Sequence, residues 1–488
     1  MRTMLMAAGA VVALAAPGLA RAETACADLK TTRLAHAEVT AASVESQGGR
    51  ELCKVAVTSR PTPDSDIRIE VWIPLGAGWN GKFVQLGNGG FAGTVPSGRL
   101  KQVAGQGYAT AGTDNGHQDP VGTSAAWALG KTEKIVDYGW RSLKETTDIA
   151  KALIRAQKAD GPKTSYFYGC SDGGREALME AQRFPADFDG IIAGAPANYM
   201  SRLFGNGAAQ QQALAKPGAY LDKPALELIQ AAALKDCGGE AFVRDPLACR
   251  FDPAALLCKP GVTACLTAPQ VAAAKAIYDG RRDPRNGKVV LPGLSPGGEA
   301  QGGGWQAWVT GPSQDRNANA AGYQFASNAF KYFAFQDPNY DFLTMDLGAE
   351  FDRAKAKMSP MIDAESPDLK AFKARGGKLI QYHGWNDAAI PARSSIVYYE
   401  DVGRTMGDTS GFYRMYLIPG MLHCGGGAGP STVDWLATLD DWVVGGTAPA
   451  SLTATSVVNG RQLLCPYPAV AKADGKGGWA CPVVKPKG

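Results

Sequence analysis

Several things are scarce in this chain of 488 residues, and each scarcity narrows what it does. Ten cysteines contain no Cys-x-x-Cys pair, so neither the common zinc spacing nor a thiol-redox motif is present. Charge of one sign is also missing. Fifty Lys and Arg face 46 Asp and Glu, for a net charge of +4. That near balance provides no basis for a nucleic acid or an anionic membrane as partner. Long apolar runs are confined to the first residues, where Met4 to Ala16 is too short to span a bilayer. No internal repeat or low-complexity block occurs. Histidine is rare, with only four in the chain, which limits the choice of a catalytic base.

The opening segment carries an early Arg2, the apolar run, and then Ala20-Arg21-Ala22, a small-residue cleavage pattern. Residues 1–22 are expected to be a signal peptide cut before Glu23, so the protein is expected to be secreted or periplasmic. Export permits disulfides, and the cysteine count is even. Apolar content of 45% and charge of 20% describe a globular protein large enough for one domain with an insertion or for two or three domains.

The most informative stretch is Ser165 to Arg175, SYFYGCSDGGR. Three aromatic residues suited to a buried strand lead into Gly169-Cys170-Ser171-Asp172-Gly173, a G-x-S-x-G pattern. Strong helix formers follow without Gly or Pro. Strand, tight turn and helix form the context of a nucleophile elbow, which presents a serine hydroxyl at a helix N-terminus. An ordinary strand-to-helix turn is the competing reading.

Other segments supply the surroundings. Cys26 and Cys53 are expected to form one bridge. Residues 66–86 read as two strands around a Gly/Asn turn, and they run into the glycine cluster Gly87-Asn88-Gly89-Gly90. Bare backbone N–H groups there suit an oxyanion hole, with Gly89 or Gly90 as donor alongside Asp172. Residues 108–114 read as a strand, 133–158 as a helix and 188–196 as a buried strand. Strands alternating with helices predict an α/β fold with a mostly parallel sheet. From 198 to 341 the texture changes, with four cysteines (237, 249, 258 and 265), dense glycine and many aromatics. This segment is expected to be a lid domain inserted into a catalytic domain of residues 23–197 and 342–488. Trp305 and Phe325 are candidates to line a substrate pocket. The strand pattern resumes at 377–383 and 412–418, with helices at 393–402 and 435–444, and the tail holds Cys465 and Cys481.

A serine nucleophile needs a base and a group that orients the base. Among His36, His117, His383 and His423, the last lies in a Gly-rich loop after the penultimate strand pattern. It completes the chain order serine, acid, histidine expected for this elbow. Asp387 follows a strand between them and is the expected acid, with Asp401 and Asp408 as rivals. Cys170 precedes Ser171 and Cys424 follows His423. If serine and histidine meet, these cysteines approach disulfide distance.

This Cys-Ser, Asp, His-Cys arrangement resembles the tannase and feruloyl esterase family, which includes mono(hydroxyethyl) terephthalate hydrolase. The likeness extends over nearly the whole mature chain. It includes WNGKFVQLGNGGFAG, GCSDGGREALMEAQRFPADFDGIIAGAPA, QDPNYD, YHGWNDAAIP and PGMLHCGGG. The resemblance implies an α/β-hydrolase fold with a lid, a Cys170–Cys424 bridge and hydrolysis of esters of aromatic acids. One departure concerns a calcium loop that the family carries after its first lid cysteine. Here Cys237 to Pro246 reads CGGEAFVRDP. Asp236, Glu240 and Asp245 are too few for a site needing 6–8 oxygen ligands. No cofactor is therefore expected. The expected partner is a small aromatic ester, whose acyl group (galloyl, feruloyl, coumaroyl or terephthaloyl) the sequence leaves open. An amidase or acyltransferase on the same residues, and a non-catalytic secreted binding protein, are the competing functions.

Overall fold

A computed structural model describes residues 23–313 and 320–482. The expected signal peptide, residues 1–22, lies outside the described residues. At the centre is a nine-stranded sheet. In chain order its strands are β1 (Ala37–Gln47), β2 (Arg50–Ser59), β3 (Ile67–Pro74), β4 (Lys82–Leu86), β5 (Ala109–Thr113), β6 (Thr164–Cys170), β7 (Gly190–Gly194), β8 (Lys378–Gly384) and β9 (Tyr413–Ile418). In space the order is β1-β2-β3-β5-β4-β6-β7-β8-β9. β1, β2, β3 and β5 pair antiparallel, and all pairs from β5 to β9 are parallel. The fold is thus α/β, with a mixed sheet covered by helices.

The strands read as their position demands. β5 and β7 are buried on both faces and carry near-continuous small or apolar residues, whereas β8 is equally buried but includes Gln381 and His383, whose polar atoms are hydrogen-bonded. β1 at the edge is largely exposed. β3 and β4 both form, but they do not pair with each other, because β5 inserts between them. The β1–β2 hairpin turns at Gly48-Gly49, both with positive φ, and the Cys26–Cys53 disulfide ties its second strand to the N-terminal segment.

Helix α1 (Ser142–Lys158) packs on the sheet, preceded by one wide turn at Asp137–Arg141. α2 (Asp172–Arg183) follows β6 directly. Between β7 and β8 the chain is mainly helical and includes α3 (Met200–Leu214) and α4 (Ala321–Asn328). Two short-range disulfides, Cys237–Cys249 and Cys258–Cys265, staple this stretch. Its aromatic core, including Phe204, Phe330 and Phe333, is continuous with Phe91 and Tyr138 from the loops above the sheet. α5 (Ala392–Met406) and α6 (Trp435–Gly445) complete the layers. Cys465–Cys481 closes the tail, and all ten cysteines are paired. Five disulfides fit an oxidising compartment. Among the described residues no helix is long and apolar enough to cross a membrane.

Candidate active site

The parallel strands end together at their C-terminal edge, and four of the connections leaving them meet there. Open α/β sheets bind ligands along that edge. The first connection is the turn from β6 to α2. Ser171 has φ 67° and ψ −121°, a strained backbone for a residue with a side chain. The strain persists because its neighbours leave no alternative. A Cβ on Gly169 would lie 2.2 Å from the Gly173 carbonyl oxygen, and one on Gly173 would lie 2.8 Å from that of Asn88. Only glycine lets the three backbone segments approach so closely, which is the physical content of G-x-S-x-G.

The second and third connections bring an imidazole and a carboxylate to the serine. His423, in the loop after β9, places Nε2 2.9 Å from Ser171 Oγ. Its Nδ1 lies 2.7 Å from Asp387 Oδ2, on the loop after β8. Asp387 is buried, and its Oδ1 accepts from the backbone N–H groups of Ala389 (2.8 Å) and Ile390 (2.9 Å). Burial alone would push its carboxyl pKa up. The neighbouring His423 and His383 outweigh that and hold it well below the usual carboxylate range. Asp387 therefore stays ionised, so His423 Nδ1 keeps its proton and Nε2 is free to accept from the serine hydroxyl.

His383, at the end of β8, belongs to this constellation. Its Nε2 lies 3.2 Å from Asp387 Oδ2 and 3.0 Å from the Ile390 carbonyl. Gln381 donates to Ser395 Oγ at 2.6 Å, leaving that hydroxyl to donate to His383 Nδ1 at 2.7 Å. The proton of His383 is thereby fixed on Nε2, facing Asp387. The signal in the sequence was a histidine four residues before the expected acid. The other histidines stand apart. His36 is exposed, and His117 is buried against Trp127 with ring centroids 3.8 Å apart. Among the rival acids, Asp401 pairs with Arg404, and Asp408 accepts from Ser410 N–H at 2.8 Å.

The fourth connection is the glycine-rich loop after β4. Gly90 and Asp172 line the same cavity as Ser171, whereas Gly89 does not. Among the described residues, the backbone N–H groups of Gly90 and Asp172 have no hydrogen-bond acceptor. The loop is held from beneath by a buried polar network. Glu176 accepts from Asn88 N–H (2.9 Å) and from Asn115 Nδ2 (2.6 Å). Arg175 Nε donates to Asp172 Oδ1 (2.6 Å), and Tyr138 Oη lies 3.0 Å from both Asp172 Oδ1 and the Gly90 carbonyl. Burial, with Asp172 beside it, pushes the Glu176 carboxyl up to about 7.

Cys170 and Cys424 are disulfide-bonded with Cα atoms 6.0 Å apart, so the serine and histidine loops are tied beside their reactive side chains. Over Ser171 lies an apolar cavity walled by α3 on one side and by Trp308, Gly322 and Phe325 on another. Phe325, expected to line a pocket, does so. Trp305 does not: it is 2% exposed and packs against Tyr278, in the stretch between β7 and β8. Trp308, three residues on, takes that place, with its ring 5.0 Å from that of His423.

The residues from Asp236 to Asp245 do not compose an oxygen cage. Asp245 Oδ1 accepts from the backbone N–H groups of Leu247 and Ala248 (3.2 and 3.3 Å), and Glu240 is exposed. Among the described residues no three His, Cys, Asp or Glu side chains converge as metal ligands.

Comparison with known proteins places this geometry in context. The family model described as tannase and feruloyl esterase matches residues 53–482. An esterase of Xanthomonas campestris pv. campestris, itself uncharacterized, is 36% identical, with 94% of this chain and 90% of the relative covered. Feruloyl esterase B of Aspergillus niger is 31% identical, over 91% of this chain and 88% of its own. The crystal structure of feruloyl esterase B from Aspergillus oryzae superimposes with a TM-score of 0.86 at 27% identity, covering 93% of this chain and 99% of that one. The fold is accordingly of the α/β-hydrolase type. On the extent of these matches, the chain belongs to the tannase and feruloyl esterase family and is a carboxylic ester hydrolase.

Proposed function

We propose that the protein is a serine esterase acting on esters of aromatic acids through an acyl-enzyme. The observation carrying this reading is the continuous chain Ser171 Oγ, His423 and Asp387, with links of 2.9 and 2.7 Å, whose serine end lines an apolar cavity. Ser171 Oγ bonds to the ester carbonyl carbon while its proton passes to His423 Nε2. Asp387 orients the imidazole and stabilises its charged form. The carbonyl oxygen becomes an oxyanion that accepts from the N–H groups of Asp172 and Gly90. His423 then returns the proton to the departing alkoxide as the carbon–oxygen bond breaks. Water, deprotonated by His423, attacks the acyl-enzyme and releases the acid.

The insertion of residues 198–341 serves as the lid that walls the acyl group from water, on a catalytic domain of residues 23–197 and 342–488. Feruloyl, galloyl and terephthaloyl esters are the candidate substrates, in keeping with the feruloyl esterases among the relatives. The leader pattern and five disulfides favour a secreted or periplasmic enzyme. Turnover of a panel of such esters by the wild-type protein and by Ser171→Ala tests the reading. The variant should fold and retain no more than about a thousandth of the rate, as expected when a serine nucleophile is removed. A folded variant retaining most of the activity would remove Ser171 from the mechanism.

A further inference from the structure

A second cavity shares no lining residue with the one over Ser171 and holds similar space, about 80 Å³ against about 90 Å³. Trp385 and Pro419 line it, two residues before Asp387 and four before His423, so it reaches the loops that carry both. The strand Gly460–Leu464 supplies another wall. It is pinned to the histidine loop by Gln462, whose Nε2 donates to the Pro419 carbonyl at 3.0 Å. The tail closed by the Cys465–Cys481 disulfide contributes Tyr467 and Trp479, and the Cys237–Cys249 segment contributes Arg244.

Two features of this lining point to a ligand. The first is uncompensated charge. Arg244 and Arg461 both line the cavity, and no Asp or Glu does. Among the described residues the arginines held in ion pairs are others. Asp245, next in sequence to Arg244, accepts from the backbone N–H groups of Leu247 and Ala248, and Glu400 accepts from Tyr467 Oη at 2.8 Å. The second feature is aromatic surface. The guanidinium carbon of Arg244 lies 4.7 Å from the centre of the Trp479 ring and 5.2 Å from that of Phe242. Stacked between rings, the planar fork is preorganised, so it loses less freedom when it takes a carboxylate. Leu247, Leu417 and Leu463 add apolar surface.

We propose that this cavity is a second binding site, for a small aromatic carboxylate whose ring packs on the aromatic and leucine side chains and whose charge is met by Arg244 and Arg461. The inference is independent of the nucleophile assignment, because Ser171, Asp387 and His423 do not line the cavity. Every turnover of a carboxylic ester hydrolase releases one carboxylate, so ligands of this charge arise where the enzyme works. A ring alone leaves the arginines unpaired, and an anion alone leaves the apolar wall uncovered. Both parts of the ligand are therefore needed.

The test is isothermal titration calorimetry near neutral pH with benzoate, benzyl alcohol, acetate and glucuronate. Wild-type protein is compared with Arg244→Gln, Arg461→Gln and the double variant. The wild type should bind benzoate at least about 10-fold more tightly than the other three, and each single variant should lose about 10-fold in benzoate affinity, as expected for a charge-assisted hydrogen bond. Ester turnover and circular dichroism should stay as in the wild type, since neither arginine lines the cavity over Ser171 and both are exposed. Identical benzoate isotherms for wild type and folded double variant would overturn the proposal. Benzyl alcohol binding as tightly as benzoate would reduce the cavity to an apolar hole. Acetate binding as tightly would remove the ring from recognition, and tighter binding of glucuronate would make the occupant an acidic sugar; each of these overturns the assignment. Loss of benzoate binding together with ester turnover in a folded double variant would place the signal over Ser171 and overturn it too. If the double variant does not fold, the two single variants decide.

Discussion

Removing the bridge between Cys170 and Cys424 tests how the two halves of the proposed catalytic pair are held. Ser171 follows β6 and His423 follows β9, and two strands stand between them in the sheet. At the usual strand spacing the two strands are about 14 Å apart. The loops fold toward each other over β7 and β8, and at Cys170 and Cys424 the Cα separation is 6.0 Å. Apart from the bridge, the direct tie between the reactive side chains is the 2.9 Å hydrogen bond itself. Two effects should follow from replacing both cysteines by alanine. The bridge joins residues 254 positions apart, so on the chain-entropy relation its loss destabilises by roughly 5 kcal/mol. Independently, a displacement of about 1 Å between serine and imidazole costs roughly 100-fold in rate. The double variant should therefore lose about 100-fold in kcat at temperatures where circular dichroism still reports a folded protein, as well as melting earlier. Turnover and circular dichroism on the same sample separate the effects. Full activity in a folded, bridge-free protein would show that the disulfide supplies stability alone and that the loops hold the pair without it.

The acid and its second imidazole yield further expectations. His383→Leu removes one donor to Asp387 Oδ2 and leaves the Ser395 hydroxyl without its acceptor. A fall of about 10-fold in kcat with KM little changed is expected, partly restored in His383→Gln, whose amide donates in a similar place. An equal loss in kcat/KM and melting temperature for both variants would mark His383 as packing only. For Asp387 the folded-state pKa is depressed, so its carboxylate adds stability above the unfolded value and loses it as pH falls toward the folded one. The melting difference between wild type and Asp387→Asn should accordingly be largest near neutral pH and shrink below about pH 4. A difference that grows on acidification would contradict that sign.

Much of the local structure was legible because it depends on nearest neighbours. The aromatic strand, the three glycines and the helix formers around Ser171 can be read directly, since the strained φ of 67° requires small residues on either side. β5, β7, β8 and β9 likewise follow from short apolar runs with Gly or Pro boundaries. The Gly48-Gly49 hairpin is equally local, with alternating flanks on either side of the glycine pair. What neighbours cannot specify is pairing across the chain. Nothing between residues 66 and 86 announces that β5 will separate β3 from β4, because that choice is made by the crossover connection. The tertiary fold alone also distinguishes Trp308 from Trp305. The two are three residues apart with the same chemistry, and the turn at Gln306–Thr310 decides which ring meets the cavity. His383 belongs to the same class. It lies only four residues before Asp387, but its role comes from that carboxylate being shared with His423, which is distant in sequence. Residue types and their spacing settled which chemistry was available. The packing of distant segments decided which copies of each residue type face one another, because hydrogen bonds and burial act across space whatever the order along the chain.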